Sequence, residues 1–133
     1  MEENIVKSSQ KIILLVDDDQ FITIAYKDGL ESAGYSVLVA TDGKEALNIL
    51  KTVKPDVVLL ELIIPVLNGF ELLNLMKKDK NFSKIPVIVL TNLSQDSDKE
   101  EATSDGAIDF LVKADVSLKD LVTRINLLLN SKI

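Results

Sequence analysis

Ile12-Ile13-Leu14-Leu15-Val16-Asp17-Asp18-Asp19 is the stretch whose reading decides the fold. An unbroken apolar run stops abruptly on three carboxylates. A run that is apolar at every position, rather than at alternate ones, reads as a strand buried on both faces, as strands of parallel sheets are. Two later runs repeat the pattern. Val57-Val58-Leu59-Leu60 ends on Glu61, and a run built from Ile108, Phe110, Leu111 and Val112 ends on Lys113. If the three strands are neighbours, their carboxyl ends bring Asp17, Asp18, Glu61 and Lys113 into one crevice, the place where open α/β sheets bind ligands. Carboxylates held together at low dielectric repel one another, so such a crevice calls for a cation. Oxygen donors of this kind suit a hard divalent metal, and Mg²⁺ is the expected one.

Composition bounds what surrounds this crevice. The chain has 133 residues, enough for one domain with a real core. Its hydrophobic share of 47% and charged share of 27% are ordinary for a soluble globular protein. The net charge is −6. A basic footprint for nucleic acid is absent, so no direct contact with DNA or RNA is expected. There is no cysteine and no histidine. Disulfides, thiolate metal sites, cysteine nucleophiles and Ser-His chemistry are therefore excluded. No apolar run is long enough for a signal peptide or a membrane span, so a cytoplasmic location is the expectation.

Outward from the first strand the chain alternates strand and helix five times. Strand 1 is expected over 11–16 and helix 1 over 19–33, with Ile22, Tyr26, Leu30 and Ala33 on one face and Gly34 as the stop. Strand 2 is expected over 35–40. Asp42 and Glu45 read as a capping box that opens helix 2, which ends before Pro55. Strand 3 spans 56–60, and a loop with Pro65, Asn68 and Gly69 leads to helix 3 over 70–79. Strand 4 covers 87–90, closed by Thr91. Helix 4 is expected to begin near Ser94 or Ser97, with Ser97 and Glu100 as a second capping box, and to stop at Gly106. Strand 5 covers 107–112 and helix 5 covers 117–129. Residues 1–10 read as a flexible polar tail and residues 11–130 as the single domain. Buried strands separated by amphipathic helices argue a parallel sheet covered on both faces. With right-handed crossovers the expected fold is the flavodoxin-like (βα)5 doubly wound sheet, strand order 2-1-3-4-5.

The motifs also carry a resemblance. Ile13 through Asp19, Ala40-Thr41-Asp42-Gly43-Lys44-Glu45-Ala46-Leu47, Pro55 through Leu60, Pro65 through Phe70, Ile85 through Thr91, and Gly106-Ala107 leading to Lys113 occur in order. Over about 11–129 the chain resembles the receiver domain of bacterial two-component response regulators. The resemblance implies a module that takes a phosphoryl group from a histidine kinase or phosphotransfer protein. It places Glu61 at the phosphoacceptor position, four residues before Pro65. It makes Asp17 and Asp18 the acidic pair that holds Mg²⁺, with Glu61 and the backbone carbonyl of Ile63 as further metal ligands. Thr91 is similar to the switch hydroxyl and Lys113 to the lysine that pairs with phosphoryl oxygens. Phe110 sits at the aromatic switch position, and reads equally as core.

Two residues depart from the family pattern. The family has aspartate where this chain has Glu61, one methylene longer. In-line transfer depends on placement within about an ångström. Phosphotransfer is therefore expected to be lost or very poor, with partial mimicry of the activated state as the other consequence. The second departure is Ala114, where the family usually has proline, often after a cis bond. A cis bond before a non-proline residue costs roughly 2.5–4 kcal/mol, so Lys113–Ala114 is expected to be trans. Three functions follow. The first is a signalling receiver that presents helix 4, strand 5 and helix 5 to a downstream protein or to a second copy. The second is a pseudo-receiver that binds partners independently of phosphorylation. The third, ranked last, is a small Mg²⁺-dependent phosphohydrolase; no catalytic residue is assigned, and the chain is not expected to be an enzyme.

Overall fold

The first strand is where the sequence expects it. In the computed structural model, which describes residues 10–130, β1 runs Ile12–Val16. It is followed by α1 (Gln20–Ser32), β2 (Ser36–Ala40), α2 (Gly43–Leu50), β3 (Val57–Leu60) and α3 (Gly69–Lys78). The chain continues with β4 (Val87–Thr91), α4 (Asp96–Ser104), β5 (Asp109–Val112), a single 3₁₀ turn (Lys113–Asp115) and α5 (Leu118–Asn130). The tail expected over 1–10 lies, apart from Gln10, outside the described residues. No helix among them is long and apolar enough to cross a membrane.

The five strands form one sheet in the order β2-β1-β3-β4-β5. All four pairings are parallel, with Val16 opposite Leu60, Leu60 opposite Val89 and Thr91 opposite Val112. The sheet is the expected flavodoxin-like arrangement. Side-chain alternation then sorts each strand between two cores. Leu14, Val16, Val58 and Leu60 pack with Ala46, Leu50, Leu72, Leu73, Met76 and Ala102 of α2, α3 and α4. Ile13, Leu15, Val57 and Leu59 pack with Leu30 of α1 and with Leu121 and Ile125 of α5. This is why every β3 residue is apolar: all four have no exposed surface. Each such side chain contributes roughly 1.5–3 kcal/mol by burial.

The helix starts follow capping chemistry. Asp19 accepts from the amides of Phe21 and Ile22 and opens α1. Asp42 accepts from the Glu45 amide at 2.7 Å, but Glu45 reaches back to the amide and hydroxyl of Thr41 rather than to Asp42. The full capping box is instead at α3, where Asn68 and Glu71 bond reciprocally. That moves the start of α3 to Gly69. Ser97 does not open α4. The helix begins at Asp96 behind Gln95, which makes no side-chain cap bond, and Ser97 lies inside the first turn. The reason is competition: the polar residues from Ser94 to Asp98 offer several starts, and a capping pattern alone does not choose among them. Ala33 is exposed at the end of α1, while Thr23, its hydroxyl donating to the Gln20 carbonyl at 3.1 Å, takes a buried place.

Candidate functional site

Parallel pairing in this order delivers the ends of β1, β3, β4 and β5 to one edge of the sheet. The backbone locks the alignment: the Glu61 amide donates to the Val16 carbonyl at 3.0 Å, and the Asp17 amide to the Ala40 carbonyl at 3.0 Å. Asp17, Glu61 and Thr91 are all buried there. Asp18 is exposed. Below Glu61, Gly69 lets α3 approach so closely that a Cβ on it would stand 2.5 Å from the Glu61 carbonyl oxygen.

The charges are arranged around Lys113. Its ammonium donates to Asp17 Oδ2 at 2.5 Å and to Glu61 Oε1 at 2.7 Å. The second oxygen of Glu61 accepts from the Thr91 hydroxyl, from the Leu62 amide at 2.8 Å and from the Ile63 amide at 3.2 Å. Thr91 Oγ1 in turn accepts from the Leu93 amide at 3.3 Å, which directs its own proton to Glu61. Asp17 Oδ1 accepts from the Asp19 amide at 2.9 Å. No buried side-chain polar atom among the described residues lacks a partner. Burial alone pulls the Lys113 ammonium down; the hydrogen bonds and attraction of Asp17 and Glu61 outweigh it and leave its pKa above the ordinary lysine value.

Sequence reasoning brought Asp17, Asp18, Glu61, Thr91 and Lys113 together; Asp17, Glu61, Thr91 and Lys113 are joined by hydrogen bonds, while Asp18 is exposed. Three carboxylates around a metal were expected. Among the described residues no three His, Cys, Asp or Glu side chains are grouped to hold one. The cation at the centre is Lys113, and both Glu61 oxygens are committed to it, to Thr91 and to backbone amides. As arranged, the donor set does not fit a three-carboxylate metal site. Asp17, Asp18 and the Ile63 carbonyl are the oxygen donors left. Phe110 is half-buried and packs against the core on the α2–α4 face, while Ile63 is 61% exposed at the crevice rim. The Lys113–Ala114 bond is trans, as expected, and leads into the 3₁₀ turn.

Tyr26 was read as helix-face core only. Its phenol feels the site: burial raises its pKa, Lys113 opposes the rise, and Asp17 and Glu61 add to it. The available signal was position, because Tyr26 lies two helical turns after Asp19 on the face that continues from the acidic stretch. The cradle of Leu62 and Ile63 amides was also missed, since backbone donors leave no trace in side-chain identity.

A doubly wound parallel sheet with carboxylates, a hydroxyl and a lysine at its carboxyl edge defines a flavodoxin-like α/β domain with a charged ligand crevice. The chain belongs to the response regulator receiver domain family, whose sequence profile matches residues 13–126. It is 38% identical over 117 residues to PilH of Pseudomonas aeruginosa, covering 88% of this chain and 96% of that protein. It is 34% identical over 117 residues to RpaA of Synechocystis sp., described as a DNA-binding dual master transcriptional regulator, covering 88% of this chain and 48% of that one. The chain thus spans about half the length of RpaA and nearly all of PilH. Among solved structures, the receiver domain of Francisella response regulator 1452 superposes with a TM-score of 0.84 at 33% identity, covering 93% of this chain and 100% of that one. Receiver domains are signalling modules of two-component systems, and they generally bind Mg²⁺ at the phosphorylation site.

Proposed function

We propose that this chain is a receiver module whose crevice is held charge-satisfied by Glu61 in place of a phosphorylated aspartate. The supporting observation is the Glu61 carboxylate, bonded to the Lys113 ammonium and the Thr91 hydroxyl at once. Those are the two side chains that the family pattern assigns to phosphoryl oxygens. Both Glu61 oxygens are engaged, so neither is free as an in-line nucleophile, and transfer from a histidine kinase or phosphotransfer protein is impaired. Mg²⁺ binding is weak in this reading, because Glu61 is withdrawn from the metal position and Lys113 already neutralises Asp17. The module signals by presenting α4, β5 and α5 to a downstream protein or a second copy. Ile108 at 51% and Leu127 at 65% exposure offer apolar contact beside the Arg124–Asp109 ion pair there. Action in the cytoplasm, without membrane or direct nucleic-acid contact, completes the reading.

The test is intact mass after incubation with Mg²⁺ and a small-molecule phosphodonor, for the native chain and for Glu61→Asp. Only Glu61→Asp is expected to gain a phosphoryl group, and only its melting temperature is expected to rise with Mg²⁺. A phosphoryl group on the native chain overturns the reading. If neither protein gains one, a pseudo-receiver that binds partners constitutively becomes the better account. Steady turnover of the phosphodonor would point instead to a phosphohydrolase.

A further inference from the structure

A cleft of about 660 Å³ lies at the end of the sheet opposite the charged crevice. It is bounded by the end of α2, the loop into β3, the end of α3 and the loop into β4. These loops feed the amino ends of strands, so the cleft is separate from the Glu61 site. Leu47, Leu75, Phe82 and Ile85 form an apolar wall, with Leu75 44% exposed, and Thr52, Asp79 and Asn81 add polar groups to the lining. Lys51 and Lys54 line the cleft as well. A concave space of a few hundred Å³ that sets an apolar wall beside placed polar groups is the usual form of a small-molecule site.

Charge selects the occupant. The molecule carries −6 overall, yet Lys51, Lys54, Lys77, Lys78, Lys80 and Lys84 are six of its 15 basic residues and all belong to this end. The same segments hold two acids, Asp56 and Asp79, with Asp79 in the cleft lining, so the lysines outnumber them six to two. Asp56 accepts from the Ile12 amide at 2.7 Å and Asp79 from the Asn81 amide at 2.8 Å. Lys77 adds a cation with no carboxylate partner among the described residues: its ammonium donates to the carbonyls of Ser83 at 3.1 Å and Ile85 at 2.8 Å, beneath the wall. Burial lowers its pKa from the ordinary lysine value. An apolar wall inside a basic end of an acidic protein favours a molecule with an apolar body and one anionic group.

We infer that the cleft lined by Leu47, Leu75, Phe82, Lys51 and Lys54 binds a small amphipathic anion, an aromatic or acyl body bearing a single carboxylate, sulfonate or phosphate. The inference does not depend on the Glu61 reading. The probe is 8-anilinonaphthalene-1-sulfonate, compared with N-phenyl-1-naphthylamine, which has the same body without the charge. Titrations followed by fluorescence and by amide chemical shifts are expected to saturate at one site, with the shifts centred on Val53, Leu75 and Phe82. The sulfonate is expected to raise the melting temperature, as a ligand of the native state does. Lys51→Gln with Lys54→Gln is expected to weaken the sulfonate about fivefold, from two rim charges, and to leave the neutral probe within about twofold. Leu75→Asp is expected to weaken both. Raising salt to about 1 M, where the screening length falls to ~3 Å, should mimic the double lysine variant. Shifts centred elsewhere, binding that does not saturate, a lowered melting temperature, or equal loss of both probes in the lysine variant would each overturn the inference.

Discussion

Lys113 carries two buried carboxylates at once, and most of the site's energetics follow from that. Its side chain is 10% exposed, Asp17 3% and Glu61 9%. Removing one member of such a group leaves the others uncompensated, which costs ~3–5 kcal/mol for fully buried pairs. The crevice opens to solvent, so Lys113→Met is expected to cost about 2–3 kcal/mol at neutral pH, measured by urea unfolding. A loss under about 0.5 kcal/mol, the size expected of an ordinary surface substitution, would mean that the two carboxylates do not depend on Lys113. Val66 presents a different residue-scale argument. It has φ of 72° and is 75% exposed, on the loop between Glu61 and α3. A β-branched residue in the left-handed region is strained, and asparagine tolerates that region far better. Val66→Asn is expected to raise stability by about 0.5–1 kcal/mol in the same assay, since little burial is lost.

At the scale of elements, α4 stands apart. It carries Asp96, Asp98, Glu100 and Glu101, buries only Ala102, and begins without a side-chain cap. A helix that is polar all round draws little from packing, so its amides are expected to exchange faster than those of α3, which buries Leu72, Leu73 and Met76 behind a capping box. Gln95→Ser supplies the missing cap. It is expected to slow exchange at Glu100 and Glu101 by an amount equivalent to about 0.5–1 kcal/mol. The same contrast explains what the sequence disclosed. The strands were legible because Ile13–Val16, Val57–Leu60 and Val87–Leu90 are buried on both faces and cannot be polar. The sheet order followed, and with it the convergence of Asp17, Glu61, Thr91 and Lys113. The start of α4 was not legible, because the helix opens behind Gln95, which makes no cap bond, while the better capping residues Ser94 and Ser97 lie on either side of it. The partition of the charges was not legible either. Whether Glu61 faces a metal or Lys113 depends on one methylene and on the amides of Leu62 and Ile63, and residue identity records neither the reach nor the backbone donors.

Among the described residues the perturbed titrations gather on the alkaline side, and their signs shape the pH response of the whole molecule. Lys113 has a folded pKa above its ordinary 10.5, the attraction of Asp17 and Glu61 having overcome burial. Tyr26 and Tyr35 lie above their ordinary 10.0, chiefly through burial. In each case the folded chain holds its proton more tightly than the unfolded one. The stability that these groups contribute is complete below the unfolded values and is lost as pH rises through the folded ones. Lys77 has the opposite sign. Burial lowers it, so its cost is present in full below its folded pKa and relieved as pH approaches 10.5. Three groups therefore pull stability down above about pH 10, and one lifts it slightly just before. Deprotonating lysines also deepens a net charge that is already −6, which adds self-repulsion in the same direction. Urea midpoints taken from pH 7 to 11 are expected to stay nearly level to about pH 9.5 and then fall steeply. Tyr26→Phe should make the fall shallower, because it removes one of the three groups and leaves the Lys113 pair intact. Lys77→Met should remove any rise before the fall. A midpoint that climbs through pH 10.5 in the native chain would mean that the burial of Lys77 outweighs the Lys113 pair, and that the crevice contributes less to the fold than its hydrogen bonds imply.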